Sequence, residues 1–290
     1  MDFHCEDGDF TVRSSLDGTA FQARRSALET SQFFHDLFFC CKEPPAQENV
    51  IELHEPSTSV VVLLRLLHDP PQPPVEVPKD KSAVASNTRT LQKMPKVYQE
   101  GTVIPFPLLQ LMLQLVDKYA LPQPTMECLG QHLRVYAPSN PLQVYAVATS
   151  YGFDKAASKA SEYLMPIASY GVDEIKILPT VEAYHKIARL QDFRVKAMKD
   201  LVLTEEIFPH GYGVCTSHRE MAETIWDRTR KAVAARIQIG IDIAGEFESV
   251  PDLLKNCKHC HKASIAAVEM LTYKCHRVPR GLSQVVLPSE

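Results

Sequence analysis

The sequence predicts an α+β fold in which a small sheet packed with helices comes first and an all-α region follows. A hairpin pattern lies near the N-terminus, because apolar and polar residues alternate on both sides of Asp17-Gly18, a pair that favours the positive backbone angles of a tight turn. Apolar residues at helical spacing dominate after residue 56, and the next strand pattern is Val285-Val286. The two halves of the chain therefore differ in structural class.

The first elements after the hairpin are two short helices, the second rich in Phe, and a strand over Val50–Leu53. A helix opening at Pro56-Ser57 ends near residue 68, where prolines remove the backbone donors that a helix needs. Residues 69–104 contain six prolines and little apolar periodicity, so we predict a disordered insertion there.

Helical spacing resumes after this insertion. A helix is predicted from Leu108 to Tyr119 and another from about Met126 to Tyr136, with Thr125 as its cap. These helices complete a first domain over 1–137 that carries the insertion. Residues 138–290 form a helical C-terminal region, with helix starts predicted at Asn140-Pro141, Asp154, Thr180 and the Ser217–Glu220 capping box.

Composition excludes several classes of protein. With 290 residues, 45% hydrophobic and 23% charged, the chain is globular and long enough for about two domains. A net charge of −4 without a long run of Lys and Arg disfavours nucleic acid as a direct ligand. The acidic N-terminus does not match a signal peptide, and the longest apolar tract, 106–116, is shorter than the roughly 20 residues that a bilayer needs. We expect a protein of the cytoplasm or nucleus that does not contact the membrane.

The order of hairpin, short helices, strand and apolar helix resembles the BTB (POZ) domain, and the insert and tail are similar to fungal BTB proteins. The family usually has His where this chain has Arg24, which indicates a diverged branch. The resemblance is strong over 8–68, fair over 105–136 and weak thereafter. The residues that carry it are Asp9, Phe21, Arg25, Leu28, Ser31, Phe33, Phe34, Phe38, Ile51, Leu53, Leu63, Leu64 and Leu67.

This resemblance implies a non-enzymatic protein–protein interaction module. BTB proteins that recruit a cullin scaffold carry an apolar residue, any residue and then Glu after the Phe-rich helix, and Cys41-Lys42-Glu43 is a partial match. The implied role is an adaptor of a cullin-based ubiquitin ligase. The alternative is a transcription or scaffold cofactor whose helical, zinc-stabilised C-terminal region binds another ligand. The candidate partner-binding residues are Phe38, Phe39, Cys41 and Glu43.

Two features qualify this prediction. Cys is weakly apolar and Pro44-Pro45 follow at once, so an exposed charged loop with a chance match stays an open alternative. Many BTB dimers exchange an extra N-terminal strand, but only eight residues precede Asp9 and they are acidic and broken by Gly8. We therefore predict a monomer or a weak homodimer through the helix containing residues 33–39. The common cofactor, phosphate and hydrolase motifs are absent from the sequence, and no catalytic residue is predicted.

One cluster of cysteine and histidine suggests a metal site in the C-terminal half. Cys257 and Cys260 are spaced as two thiolates that bind one face of a tetrahedral zinc ion. A structural site needs four ligands, and an earlier Cys and His pair offers two more at the same spacing. Cys275-His276 is less suitable, because adjacent residues seldom aim at one ion. The hypothesis is a structural zinc bound by Cys215, His218, Cys257 and Cys260.

Other interpretations of these residues stay open, so no cofactor is certain. Because only one pair has a matching motif, half-buried thiols entering a helix over 263–275 are narrowly favoured over a metal site. A redox dithiol is less favoured, because the strand and helix context of such motifs is missing. Basic residues of the capping-box helix would support a nucleic-acid ligand, but acidic residues are interleaved with them, which is typical of a solvated face.

Overall fold

The computed structural model describes residues 3–40, 49–78, 96–211 and 213–285. The chain divides into two compact units, an N-terminal unit up to residue 139 and a C-terminal unit from residue 140. A small three-stranded sheet lies in the N-terminal unit and helices make up most of the rest, so the predicted α+β class is confirmed at that level. Within these ranges no helix is both long and apolar enough to cross a bilayer.

The sheet is built around the predicted hairpin. Strand β1, Phe10–Ser14, pairs antiparallel with β2, Ala20–Ala23, and parallel with β3, Val50–Leu53, giving the order β2-β1-β3. Val12 lies opposite Phe21 on one side and Ile51 on the other, and its side chain is fully buried. The alternation seen in the sequence therefore does place one face of the hairpin in the core.

Asp17, in the hairpin turn, also stabilises a helix that follows much later in the chain. Its Oδ1 accepts the N–H of Thr19 at 3.1 Å, and its Oδ2 accepts the N–H of Ser57 at 2.8 Å. Ser57 is the first residue of α3, Ser57–His68, whose initial N–H groups have no partner within the helix. These donors, the Ser57 N–H first, hold the pKa of Asp17 well below its usual range.

Short helices α1, Arg25–Leu28, and α2, Gln32–Cys40, connect the hairpin to β3. Phe34 of α2 is fully buried and stacks on Tyr119, with the ring centroids 5.9 Å apart. At the start of α2, the Ser31 hydroxyl donates to the Tyr119 carbonyl, which follows α4, Phe106–Lys118. Both interactions join segments that are far apart in the sequence.

Helix α5, Gln123–Val135, begins earlier than predicted, and Thr125 is a buried residue of the helix and not its cap. Pro122 is the N-cap and Pro124 lies in the first turn, where the missing proline N–H costs no hydrogen bond. The prediction that Thr125 caps this helix is wrong, because the helix already begins at the prolines that precede Thr125.

The flanks of the predicted insertion are folded. The Val77 N–H donates to the Val97 carbonyl at 2.9 Å, which pairs the two flanks. From α5, His132 Nε2 contacts the Gln72 carbonyl at 2.9 Å, and the Tyr136 hydroxyl, just after α5, donates to the Ile104 carbonyl at 2.7 Å. Residues 69–78 and 96–104 thus differ from the predicted disorder, because side chains of the helical core satisfy their backbone groups. Residues 79–95 lie outside the described residues.

The C-terminal unit is helical, and the described part of it contains no strand. The Thr180 hydroxyl accepts the Ala183 N–H at 3.0 Å, so the predicted cap of the longest helix is confirmed. The helix predicted from Asp154 to Met165 ends at Ser161. The helices of the C-terminal unit are α6 Pro141–Ser150, α7 Asp154–Ser161, α8 Val172–Ile175, α9 Val181–Thr204, α10 Arg219–Arg236, α11 Ile243–Glu246, α12 Ser249–Leu253 and α13 Lys258–His276. Short 3-10 turns lie at Ile167–Ser169, Pro209–Gly211 and Leu282–Gln284.

The later helices of this unit enclose a core around Trp226, which is 1% exposed. Its ring lies 5.0 Å from that of Phe247, and its indole N–H donates to the Glu205 carbonyl at 2.8 Å. Cys260 belongs to this core, and Cys215 and Cys257 are partly buried against it. The cysteines of the two predicted ligand pairs therefore border the same group of apolar side chains.

Candidate metal centre

The first pair of candidate ligands lies in the loop that joins α9 to α10. Gly213 has a φ of 75° and a Cβ placed there would lie 3.6 Å from that of Ala263, so the loop passes close to α13. Residues 215–218 form a turn in which the His218 N–H donates to the Cys215 carbonyl at 3.2 Å. This turn brings Cys215 Sγ within 3.3 Å of His218 Nδ1.

The same turn explains why the predicted capping box does not form. Helix α10 begins at Arg219, its N-cap is His218, and no side chain caps its first N–H groups. The prediction that Ser217 caps this helix is wrong, because the turn from Cys215 to His218 moves the helix start by one residue. His218 is exposed, and its ring faces a cysteine in place of the helix backbone.

The second pair lies at the start of α13. Cys257 is the N-cap residue, and Cys260 is in the first helical turn, so the helix geometry places both thiols at one end of α13. The predicted helix over 263–275 is longer than expected, because it begins at Lys258. Cys260 is fully buried, whereas Cys257 is half-buried.

The loop and the helix end bring the four residues together. Cys215 Sγ lies 3.6 Å from Cys257 Sγ, and one ligand atom from each of the four residues lies within 4.8 Å of the others. In a tetrahedral site with zinc–sulfur distances near 2.3 Å, sulfur atoms are about 3.8 Å apart. The structure thus collects Cys215, His218, Cys257 and Cys260 into a group that could hold a metal ion, which we call the cysteine cluster.

The two thiols of α13 have pKa values shifted in opposite directions. The backbone N–H of Cys260, at the positive end of α13, favours the Cys257 thiolate and lowers its pKa, although it does not form a capping hydrogen bond of normal geometry. Burial raises the pKa of Cys260, and the neighbouring thiols raise it further. Without a cation the cluster therefore favours one thiolate over several, because negative sulfurs at this separation repel one another.

A bound divalent cation reverses this balance, since a coordinating thiol is deprotonated outright. Three sulfurs and one imidazole are a donor set that suits zinc. The alternative second pair does not join the cluster. Cys275 is 15 residues beyond Cys260 on the same helix, a distance of about 22 Å at 1.5 Å per residue.

A disulfide between the nearest cysteines is not formed. The separation of 3.6 Å between Cys215 Sγ and Cys257 Sγ is well beyond a covalent bond of about 2.05 Å, and both residues are free. The two sulfurs are thus placed as separate ligand atoms.

The candidate partner-binding residues lie in or after α2 of the N-terminal unit. Phe38 is half-buried, with its ring 5.1 Å from that of Phe10 and the Arg25 guanidinium 4.6 Å above it. Phe39 is 66% exposed. Cys41 and Glu43 lie outside the described residues, so the cullin-docking motif stays a prediction.

No family model matches the chain, and no curated protein matches it.

Proposed function

We propose that the cysteine cluster is a structural zinc site and that the chain is a non-enzymatic interaction protein with a BTB-like N-terminal unit. The observation that carries the zinc proposal is the convergence of four ligand atoms within 4.8 Å from two segments 42 residues apart. Half-buried thiols that happened to enter a helix would not need a second Cys and His pair facing them. The convergence therefore supports the zinc site over half-buried thiols at the start of a helix.

The site is of the structural kind because four protein ligands fill a tetrahedral zinc ion. A catalytic zinc keeps one position for water or substrate, and this donor set leaves none. The metal would connect the loop before α10 with the first turn of α13, beside the core that contains Trp226. Its contribution is to folding, since a metal that binds only the folded chain stabilises that state.

Metal analysis tests the site. Protein purified without chelator should contain one zinc per chain, and Cys257→Ser and Cys260→Ser should each lose it, whereas Cys40→Ser, a change at an exposed thiol of the N-terminal unit, should keep it. Replacement by cobalt should give sulfur-to-metal charge-transfer bands whose intensity fits three thiolates. Less than one tenth of a zinc per chain in the unaltered protein would remove the proposal.

The interaction proposal rests on the N-terminal unit. Its order of hairpin, two short helices, a strand parallel to β1, and then helices supports a BTB-like arrangement, and Phe39 provides an exposed aromatic side chain at the end of α2. Buried aromatic anchors supply much of the affinity of protein interfaces, so an exposed Phe beside a partner-binding loop is a suitable contact. The proposed role is an adaptor of a cullin-based ubiquitin ligase, with a transcription or scaffold cofactor as the alternative.

Calorimetry with a cullin N-terminal domain separates these roles. We expect the full chain to bind with micromolar affinity and both Glu43→Ala and Phe39→Ala to weaken binding, while Leu16→Ala, at another exposed apolar residue of the N-terminal unit, leaves it unchanged. The absence of binding would remove the ligase role and leave the scaffold alternative.

A further inference from the structure

Arg194 in α9 is a buried cation without a counter-charge. The residue is 6% exposed, and its Nε has no hydrogen-bond partner. Across the part of the chain that the structure describes, no carboxylate forms an ion pair with it. A buried ion without a partner is costly, so such a group calls for an explanation.

Arg230 is a comparable arginine whose charge is paired within the protein. Its Nε also lacks a partner, but its Nη2 lies 2.7 Å from Asp227 Oδ1 and its Nη1 donates to the Leu203 carbonyl at 2.7 Å. Charge and most hydrogen-bonding groups of Arg230 are therefore satisfied within the protein. Those of Arg194 are not.

A second cation lies near Arg194. Burial and, to a lesser extent, the positive charge of Arg280 together lower the pKa of Arg194 to about 10. Arg194 is still charged at neutral pH, so two guanidinium groups repel each other there. Arg280 is exposed, and its side chain has no ion pair with any described residue.

The backbone next to Arg280 is fixed against α7. The Ser283 N–H donates to Ser158 Oγ at 3.0 Å and the Leu282 N–H to Ser161 Oγ at 3.1 Å. At Gly281 an added Cβ would approach the Ser158 carbonyl to 3.0 Å, so this turn lies close against the helix. The turn also contacts α9, and these bonds therefore hold Arg280 near Arg194 despite the repulsion.

Polar groups one turn away on α9 are already used. Gln191 Oε1 accepts the Ile167 N–H at 2.7 Å, and its Nε2 donates to the Met165 carbonyl at 2.7 Å. Both polar atoms of the Gln191 amide are thus paired with other backbone groups, and neither bonds Arg194. No described residue therefore supplies a counter-charge to Arg194, and an anion from solution could supply one.

We propose that Arg194 and Arg280 form a binding site for one small oxyanion, a carboxylate or a phosphate group. The planar guanidinium matches both groups with two parallel hydrogen bonds, and an anion between two cations would remove their repulsion. Because only 6% of Arg194 is exposed, a small group can meet its guanidinium more readily than a bulky ligand can. This proposal does not depend on the cysteine cluster.

Thermal unfolding of the full chain tests the site, with phosphate, acetate and chloride compared at equal ionic strength. We expect phosphate or acetate to raise the midpoint with saturating dependence on concentration, by about 4 °C at a hundredfold excess over the dissociation constant, and chloride to have little effect. The anion that acts at the lower concentration identifies the preferred group. Arg194→Met should abolish the response, whereas Lys196→Met, which removes an exposed cation from the same helix, should keep it.

The melting midpoint of Arg194→Met should also be informative without added oxyanion. In chloride buffer Arg194→Met should melt at or above the midpoint of the unaltered protein, because an unpaired buried charge has been removed. If Arg194→Met does not fold, Arg280→Gln at an exposed position should reduce the phosphate or acetate shift to less than half. An equal response of Arg280→Gln, Lys196→Met and the unaltered protein, or no response to either oxyanion, would overturn the proposal.

Discussion

Each of the two units of this chain is stabilised internally, and the interactions that do so differ between them. In the N-terminal unit, polar side chains bond backbone groups of distant segments, as Asp17 does for Ser57 and Ser31 for Tyr119. The C-terminal unit has bonds of this kind as well, such as that from Trp226 to Glu205, but in its later half a loop and a helix end also converge on the cysteine cluster beside the core of Trp226. If the cysteine cluster binds zinc as proposed, the C-terminal unit should depend on the metal, whereas no such cluster lies among the described residues of the N-terminal unit.

We expect metal removal to produce the largest difference in stability between the two units. Treatment with a strong chelator should expose amides of the first turns of α10 and α13 to hydrogen exchange, while amides of β1 and α3 keep their protection. Structural zinc sites contribute on the order of 10 kcal/mol, which is comparable to the stability of a whole domain. Equal loss of protection in the two units would contradict the division of roles.

A cavity in the N-terminal core should have the next largest effect. Phe34 is fully buried among aromatic rings, so Phe34→Ala should lower the free energy of unfolding of its unit by about 3–5 kcal/mol. The chain has one tryptophan, Trp226, and its fluorescence reports on the C-terminal unit alone. We therefore expect calorimetry to show an earlier transition while the midpoint by Trp fluorescence stays unchanged.

Phe39→Ala is the matched control for this experiment. Phe39 is on the same helix and is 66% exposed, so its truncation should change the free energy of unfolding by less than about 0.5 kcal/mol. A parallel shift of the fluorescence midpoint in Phe34→Ala would show that the two units unfold together.

The hydroxyl of Ser31 should have a smaller effect. Ser31 is fully buried and donates to the Tyr119 carbonyl, so Ser31→Ala leaves a buried acceptor without this donor and should cost about 1–3 kcal/mol. Ser15→Ala removes an exposed hydroxyl that lies 3.2 Å from His54 Nδ1, and it should have almost no effect. Calorimetry, or hydrogen exchange in urea, measures the difference in the free energy of unfolding. Equal free energies for the two variants would show that cross-links of this kind do not stabilise the unit.

Much of the fold was predictable because its signals are local. Asp17-Gly18 fixes the hairpin, and Thr180 caps α9, since both act within three residues. The bond from Asp17 to Ser57 was not predictable, because it spans 40 residues and depends on how α3 packs on the sheet. The folded flanks of the insertion were missed for the same reason, since His132 of α5 supplies their partner.

The candidate metal site was predictable in its members and not in its geometry. Spacing alone identified Cys215 with His218 and Cys257 with Cys260, but only tertiary structure brings the two pairs within 4.8 Å. Arg194 gave no signal in the sequence at all. An Arg within a long helix is usually solvated, and the segments that pack on α9 include a turn that follows more than 80 residues later.

Acidic pH should destabilise the N-terminal unit through His132. This is the smallest of the expected effects. His132 is 1% exposed, Nε2–H donates to the Gln72 carbonyl, and Nδ1 accepts the Ile104 N–H at 3.3 Å. Burial lowers the pKa of His132, although the hydrogen bond to Gln72 partly opposes this shift. The folded-state pKa is therefore below the unfolded value of about 6.5.

The sign of the pH dependence follows from this shift. The stabilisation by neutral His132 is fully present above about pH 6.5 and is lost as pH falls through the folded-state pKa, because a protonated Nδ1 cannot accept the Ile104 N–H. Hydrogen exchange at pH 7.5 and 5.0, corrected for intrinsic rates, should show weaker protection of Ile104 at the lower pH. His132→Gln keeps a donor for the Gln72 carbonyl and does not titrate, so it should remove most of this difference. If the difference persists in that variant, His68 is the next group to test, since burial lowers its pKa as well and its Nε2 accepts the Arg24 N–H.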